Sequence, residues 1–347
     1  MFEQFPAVRT QLALRVVAAL VGNASAMVAT FGAELQRFEF TQTHMGVEFA
    51  ITLYAPDEDS ANQVSAAAFA RIHELDTLLS DYDPQSELNL LSDTAGSGQR
   101  VPISKDLWAV LSQAQKLSVK TGGAFDVTVG PLSRLWRRAR RSFILPTEKQ
   151  LTRAKAAVGY KYLKLDRATQ SAQLVRPKMR LDVGGNAKGY AADEALAVLA
   201  RQGIAHAMVR ASGDISVGEP PPDAKGWKIG IAPLEEDGPP RRFLLLARMA
   251  VSTSGDAHQF LEFGGKRYSH ILDPHTGLGL TTRSSVTVIA PRGIDADGLA
   301  SAVCVLGPER GLRLIEEMPD TAVLIVQVVD GQTETHESER FKKLAGE

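Results

Sequence analysis

Residues 180–201 read RLDVGGNAKGYAADEALAVLAR. Arg180 to Val183 is predicted to be a short apolar strand that runs into Gly184 and Gly185, with a helix starting near Ala187. A glycine-rich strand-to-helix junction presents bare backbone N–H groups at a helix N-terminus, so phosphate is the default ligand. Neither familiar nucleotide-binding turn is present. Tyr190 follows Gly189, so there is no G-x-x-x-x-G-K-[ST] run, and there is no G-x-G-x-x-G. The turn alone does not name its ligand, and the fold has to be read from its surroundings.

Downstream of the turn, Ala192, Ala195, Leu196, Leu199 and Ala200 recur at helical spacing, and Gly203 ends the helix. Upstream, YLKLD and QLVRP form a predicted hairpin, preceded by a basic loop, RLWRRARRSFILP, whose arginines read as a solvated face, with a phosphate-facing role or the docking of a partner as the alternatives. Two earlier helices are predicted. One carries Val64, Ala68, Ile72, Leu75 and Leu79 on a single stripe, and the other starts at the N-cap Ser104 and stops at Gly122. Before them, RFEFTQTHMGVEFAITLYAP reads as strand, turn and strand, with Met45-Gly46 at the turn. After Gly203 the chain is β-rich up to SSVTVIAP. Two helices follow, Asp295 to Gly307 and Pro308 to Met318, and then a last buried strand, TAVLIVQVVDG. Helices and strands mix without strict β-α-β alternation. This predicts an α+β fold with mixed or antiparallel sheets and packed helices. No linker divides residues 36–335, so one domain is expected there.

The chain has 347 residues, 44% hydrophobic and 23% charged, with a formal net charge of −1, which argues against a general nucleic-acid or membrane-surface binder. The one cysteine, Cys304, excludes an internal disulfide framework and a Cys-based zinc cluster, and reads as a small buried hydrophobe. Residues 1–30 carry Arg9 and Arg15, an apolar run from Val16 to Val21, and Ala24-Ser25-Ala26. That pattern predicts a secretory leader with an A-x-A cleavage site, hence a periplasmic or otherwise exported protein; the alternative is an ordinary amphipathic N-terminal helix and a cytoplasmic protein. The apolar run is too short to span a bilayer.

Four constellations could carry chemistry. Asp297 and Ser301 stand at i and i+4 in the predicted helix, on one face, and a carboxylate with a hydroxyl suits Mg²⁺ or Ca²⁺ rather than zinc. Asp297 would equally serve as an ordinary first-turn acid. His270 and Asp273, three residues apart in SHILDPHTG, offer a base and an orienting group, or a partly buried histidine beside a turn cap. Two Ser-Gly-Asp turns, at 212–214 and 254–256, follow apolar runs. GGAFDVTVGPL at 122–132 is a glycine-rich turn entering a short strand, with Asp126 at its mouth.

Taken in order, these segments resemble the ApbE family of FAD:protein FMN transferases. The resemblance rests on THMG at 43–46, LLSDYDPQSELNLL at 78–91, GAFDVTVGPL at 123–132 and LDVGGNAKGYAAD at 181–193. It continues through SGD at 212–214, STSGD at 252–256, HILDPHTG at 270–277 and DADGLASAVCVLGPERGL at 295–312. It implies an enzyme that cleaves the FAD diphosphate with Mg²⁺, joins FMN to a Thr or Ser hydroxyl of a target flavoprotein and releases AMP. It further implies FAD contacts at Met45, Tyr82, Ala124, Phe125, Asp126, Asp182, Lys188 and Leu272. Mg²⁺ would bind Asp297, Ser301 and the backbone near Gly185 and Ala300, and His270 would be the base, acting directly or through Asp273. The membrane would enter only through an anchored acceptor. An FAD pyrophosphatase or a non-catalytic flavin carrier are the alternatives that the residues leave open.

Overall fold

The computed structural model describes residues 34–231, 234, 240, 242–255 and 260–344, so the leader reading of residues 1–30 lies outside the described residues. An antiparallel hairpin comes first, β1 (Gln36–His44) and β2 (Val47–Ala55), turned at Met45-Gly46 as expected. Both turn residues have positive φ, 50° and 73°, which a two-residue hairpin turn requires. Helix α1 (Glu58–Leu79) is capped by Asp57 and buries the expected stripe of Val64, Ala68, Ile72, Leu75 and Leu79. Then come α2 (Glu87–Asp93), β3 (Val101–Pro102) and α3 (Lys105–Lys120), with Ser104 as the N-cap of α3. Helices α4 (Gly130–Ser142) and α5 (Glu148–Lys155) precede the hairpin β4 (Leu163–Asp166) and β5 (Ser171–Leu174), and α6 (Ala187–Arg201) follows.

The chain continues through β6 (Ala207–Ala211), β7 (Asp214–Val217), β8 (Trp227–Gly230), β9 (Phe243–Leu246) and β10 (Met249–Gly255). Next are β11 (Phe260–Phe263), β12 (Lys266–Ser269), β13 (Ser284–Ala290) and the long helix α7 (Gly293–Glu316). Strands β14 (Ala322–Val329) and β15 (Gln332–Glu337) and helix α8 (Glu339–Leu344) complete it, and all these elements belong to one unit, Leu35–Glu347.

Eight strands form one sheet in the order β1-β2-β6-β7-β10-β13-β14-β15, and every neighbouring pair is antiparallel. Spatial order equals chain order, so each strand lies beside its predecessor and the connections carry everything else. Alternation along the strands makes two cores. Val286, Val288, Val323 and Ile325 face α1, α6 and α7, whereas Ile289, Ala322 and Leu324 pack with Trp227, Leu244 and Phe341 on the other face.

Three expectations need correction. The basic loop is helix α4, started by Pro131 in its first turn, and Leu132, Trp136 and Ala139 are its buried side. The strands expected at 180–183 and after Asp126 shrink to one parallel bridge, Val129 with Arg180, because neither segment has a longer partner edge to pair with. Ala200 lies on the exposed side of α6 rather than in its stripe. The two C-terminal helices follow as expected, meeting within α7 at Gly307, whose backbone is non-helical (φ 73°, ψ 177°), and at Pro308, which cannot supply an N–H.

Helices α6 and α7 cross where Gly189 faces Gly293. A Cβ on Gly189 would stand 2.1 Å from the Gly293 carbonyl oxygen, and one on Gly293 would stand 2.5 Å from that of Gly189. One turn along α6, Asp193 caps α7. Its carboxylate accepts the N–H groups of Gly293 (2.7 Å) and Ile294 (3.0 Å) and the Ser216 hydroxyl (2.8 Å). Asp193→Ala strands two helix-start donors and a hydroxyl, and should cost about 2–3 kcal/mol. Urea unfolding checks this, and an unchanged midpoint would show that the cap contributes nothing.

Candidate active site

A pocket opens between the glycine turn, the face of α4, the start of α7 and the loop after β12. The turn follows from local chemistry. Asp182 accepts the Gly184 N–H through Oδ1 at 3.0 Å, which tightens the bend before Asn186 starts α6. A side chain at Gly185 would press on its neighbours. A Cβ there would lie 3.1 Å from the Phe125 ring and 3.4 Å from the Ser301 hydroxyl. The turn is therefore pressed against the first turns of α7, where Asp297 and Ser301 both line the pocket.

Asp297 is only 2% exposed. Its Oδ2 accepts the Gly189 N–H at 3.1 Å and lies 3.5 Å from the Lys188 Nζ, while its Oδ1 has no hydrogen bond among the described residues. Lys188 lies closer to Asp214, at 2.7 Å, and Asp214 also accepts the Ser252 hydroxyl. Burial works to lower the Lys188 pKa, but the two carboxylates outweigh it and hold the ammonium above the ordinary lysine range. Asp297 is pushed up to about 7, first by burial and then by Asp214, against the pull of Lys188 and the Gly189 N–H.

The opposite wall is α4. Trp136 donates its Nε1–H to the Gly277 carbonyl at 2.8 Å, tying α4 to the 270–277 loop. Arg137 bridges Asp81 and Asp182, at 3.0 Å from the latter, and its guanidinium lies 4.4 Å from the centre of the Tyr82 ring. Asp126 is the organiser of its own turn. Its carboxylate accepts from the Thr128 N–H (2.8 Å), the Thr128 hydroxyl (2.7 Å) and the Tyr160 N–H (2.7 Å). Burial still raises its pKa.

Of the residues expected at a site, Tyr82, Ala124, Phe125, Asp126, Asp182, Gly185, Lys188, His270, Leu272, Asp297 and Ser301 all line this one pocket. Three do not. Met45 is in the β1–β2 turn, its N–H on the Asp76 carboxylate. Ala300 is fully buried on α7. Asp273 accepts the His275 N–H within its own turn at 2.9 Å and makes no hydrogen bond to His270. Lys188 spends its charge on two carboxylates. Sequence reading missed Trp136, Arg137 and Arg140, which line the pocket from α4. The i, i+4, i+7 spacing of Leu132, Trp136 and Ala139 after Pro131 was the available signal. Cys304 is half-buried.

Among the described residues no group of three or more His, Cys, Asp or Glu could hold a metal ion. A cation here depends on one carboxylate, one hydroxyl and backbone carbonyls. The free Asp297 Oδ1 and the hydroxyl packed on a side-chain-free turn fit that hard-oxygen set.

An antiparallel α+β domain with a glycine turn packed on a helix-borne acid and hydroxyl defines a class apart from the parallel nucleotide-binding folds. The ApbE family model matches residues 45–325, and the chain belongs to that family. It is 33% identical over 275 residues to the FAD:protein FMN transferase of Vibrio cholerae, covering 78% of this chain and 81% of the relative. It is 32% identical over 282 residues to that of Haemophilus influenzae, covering 79% and 81%. The solved flavin transferase ApbE of Vibrio cholerae superposes with a TM-score of 0.80 at 28% identity, covering 90% of this chain and all of that one (100%). The Thermotoga maritima ApbE protein gives 0.81 at 27% identity, covering 90% and 100%.

Asp297 gives a pH prediction. A carboxyl whose folded pKa exceeds its unfolded value favours the folded state most while protonated. Its contribution is fully present below about pH 4 and is lost as the pH rises through about 7. In EDTA, Asp297→Asn should therefore flatten the fall in stability between those two values. Urea midpoints across that range test it, and parallel profiles for both proteins would discard the buried-carboxyl account.

Proposed function

We propose that this chain transfers FMN from FAD to a Thr or Ser hydroxyl of a protein acceptor and releases AMP. The observation that carries the proposal is the packing of Gly185 on Ser301 beside Asp297, with Lys188 tethered behind. Phosphoryl transfer needs positioning and neutralisation of spreading negative charge more than covalent help. The family membership and the names of the relatives support the same reading.

In this reading the glycine turn offers its backbone to the FAD diphosphate. Asp297, the Ser301 hydroxyl and carbonyls of Gly185 and Ala300 would hold Mg²⁺, which when bound neutralises charge on diphosphate oxygens. Lys188 keeps the Asp297 and Asp214 carboxylates in place. The acceptor hydroxyl oxygen bonds to the FMN phosphorus, the bond from that phosphorus to the bridging oxygen breaks, and AMP leaves with that oxygen. His270, in the pocket wall, takes the hydroxyl proton. We further propose that residues 1–30 direct export, which a periplasmic reporter fused after residue 30 would report by its activity.

Incubation of a candidate acceptor flavoprotein with FAD, Mg²⁺ and this protein should add one FMN mass at a Thr or Ser and release AMP in equal amount. Free FMN without the adduct would point to hydrolysis of FAD instead. Loss of a general base typically costs about 10²–10⁴-fold, so His270→Asn should slow single-turnover transfer by about that much while FAD still binds. Transfer at the wild-type rate would remove His270 from the mechanism.

A further inference from the structure

Helix α4 carries five arginines and no acid (Arg134, Arg137, Arg138, Arg140 and Arg141), a composition its fold does not require. Two are accounted for. Arg134 bonds the Asn89 side chain at 2.9 Å, and Arg137 is neutralised by Asp81 and Asp182. The other three have no carboxylate partner among the described residues. Arg140 lines the pocket, half-buried, while Arg138 and Arg141 are exposed. Arg141 folds back so that its Nε–H donates to the Arg137 carbonyl at 3.4 Å, which keeps the cations on one rim.

The same rim exposes apolar surface. Phe143 ends α4 in the left-handed region (φ 54°) and is 73% exposed, Ile144 is 68% exposed, and Tyr82, stacked on Arg137, is 75% exposed. Uncompensated arginines interleaved with exposed aromatic and aliphatic side chains have the make-up of a protein-binding surface, not of a solvated helix face. The rim is continuous with the pocket, because Tyr82 and Arg140 belong to both. An occupant of the rim must therefore also leave the pocket open to a reactive side chain. A strand of protein does so, whereas a flat bilayer surface would stopper the mouth.

We propose that the C-terminal half of α4, its Phe143–Ile144 end and Tyr82 are the docking surface for the acceptor protein, and that it reads acidic and apolar side chains flanking the acceptor hydroxyl. The proposal rests on the flavin-transfer reading but is tested apart from it. The probes are two fluorescent peptides, each with one threonine among leucines, one flanked by aspartates and the other by lysines at the same positions. Anisotropy with the FAD-loaded protein at low salt should show the aspartate peptide binding at least tenfold more tightly than the lysine peptide. The double variant Arg138→Glu, Arg141→Glu should abolish or reverse that preference while its FAD affinity stays at the wild-type value, which also reports that it is folded. In Mg²⁺, transfer to the aspartate peptide should show a KM raised at least tenfold in the double variant with kcat little changed.

Equal binding of the two peptides, or a preference that survives the charge reversal, overturns the proposal. So does binding of the wild type to phosphatidylserine vesicles with no binding of the aspartate peptide, which would assign the rim to a membrane. Charge-dependent peptide binding without any FMN transfer would leave the docking surface standing and bring down the transfer reading.

Discussion

Two glycines facing each other across a helix crossing set the geometry on which the pocket depends. Gly189 on α6 and Gly293 on α7 bring backbone against backbone, with no space for a methyl group on either side. The consequence is a short path between two segments more than a hundred residues apart in the chain. The turn that ends in α6 and the acid and hydroxyl that begin α7 come within one hydrogen bond, Gly189 N–H to Asp297. A larger residue at the crossing would meet the Gly293 backbone first, whose carbonyl oxygen lies 2.1 Å from where the Gly189 methyl would be, and then the Asp297 Cβ at 2.9 Å. Packing at this point costs burial of a polar segment, and Asp193 offsets it by accepting the orphan donors of α7.

The electrostatics follow from the same closeness. Crossing the helices buries two carboxylates, Asp214 and Asp297, in one small volume, and like charges so placed are costly unless a cation lies between them. Lys188 is that cation, and it comes from the first turn of α6. Across the pocket Arg137 repeats the arrangement between Asp81 and Asp182. The pocket thus has two walls, each with a cation shared by two acids, and a hydroxyl, a histidine and bare backbone between them.

Much of this was legible in the sequence, and the failures have physical causes. Periodic elements whose burial is set by local pattern, such as α1, α3 and the β1–β2 hairpin, read correctly because one face is apolar and the caps are explicit. Asp297 and Ser301 were placed on one face of a helix because i, i+4 spacing is a geometric statement, and both line the pocket. Helix α4 was lost because five arginines on a thirteen-residue element swamp a buried stripe of three residues. Trp136 is held against the 270–277 loop by the Gly277 carbonyl, a contact no local window contains. The role of Asp273 misled for the opposite reason. Proximity to His270 in sequence suggested a pair, but an Asp before Pro satisfies its own turn first. The Lys188 bridge to Asp214 was unreadable, because it depends on where β7 begins relative to α6.

The large sheet has one further implication. Its strands are laid down in the order in which they are made, each hydrogen-bonded to the one before. Apart from Ser254 on β10, the pocket-forming pieces are therefore excursions between consecutive rungs: α1 to α6 after the second, the His270 loop after the fifth, α7 after the sixth. Loops within these excursions can change length without a new strand pairing, provided the helices that pack on the sheet are kept. A scaffold of this kind lets the groups that choose a ligand drift in length and chemistry while the frame that aligns them stays the same.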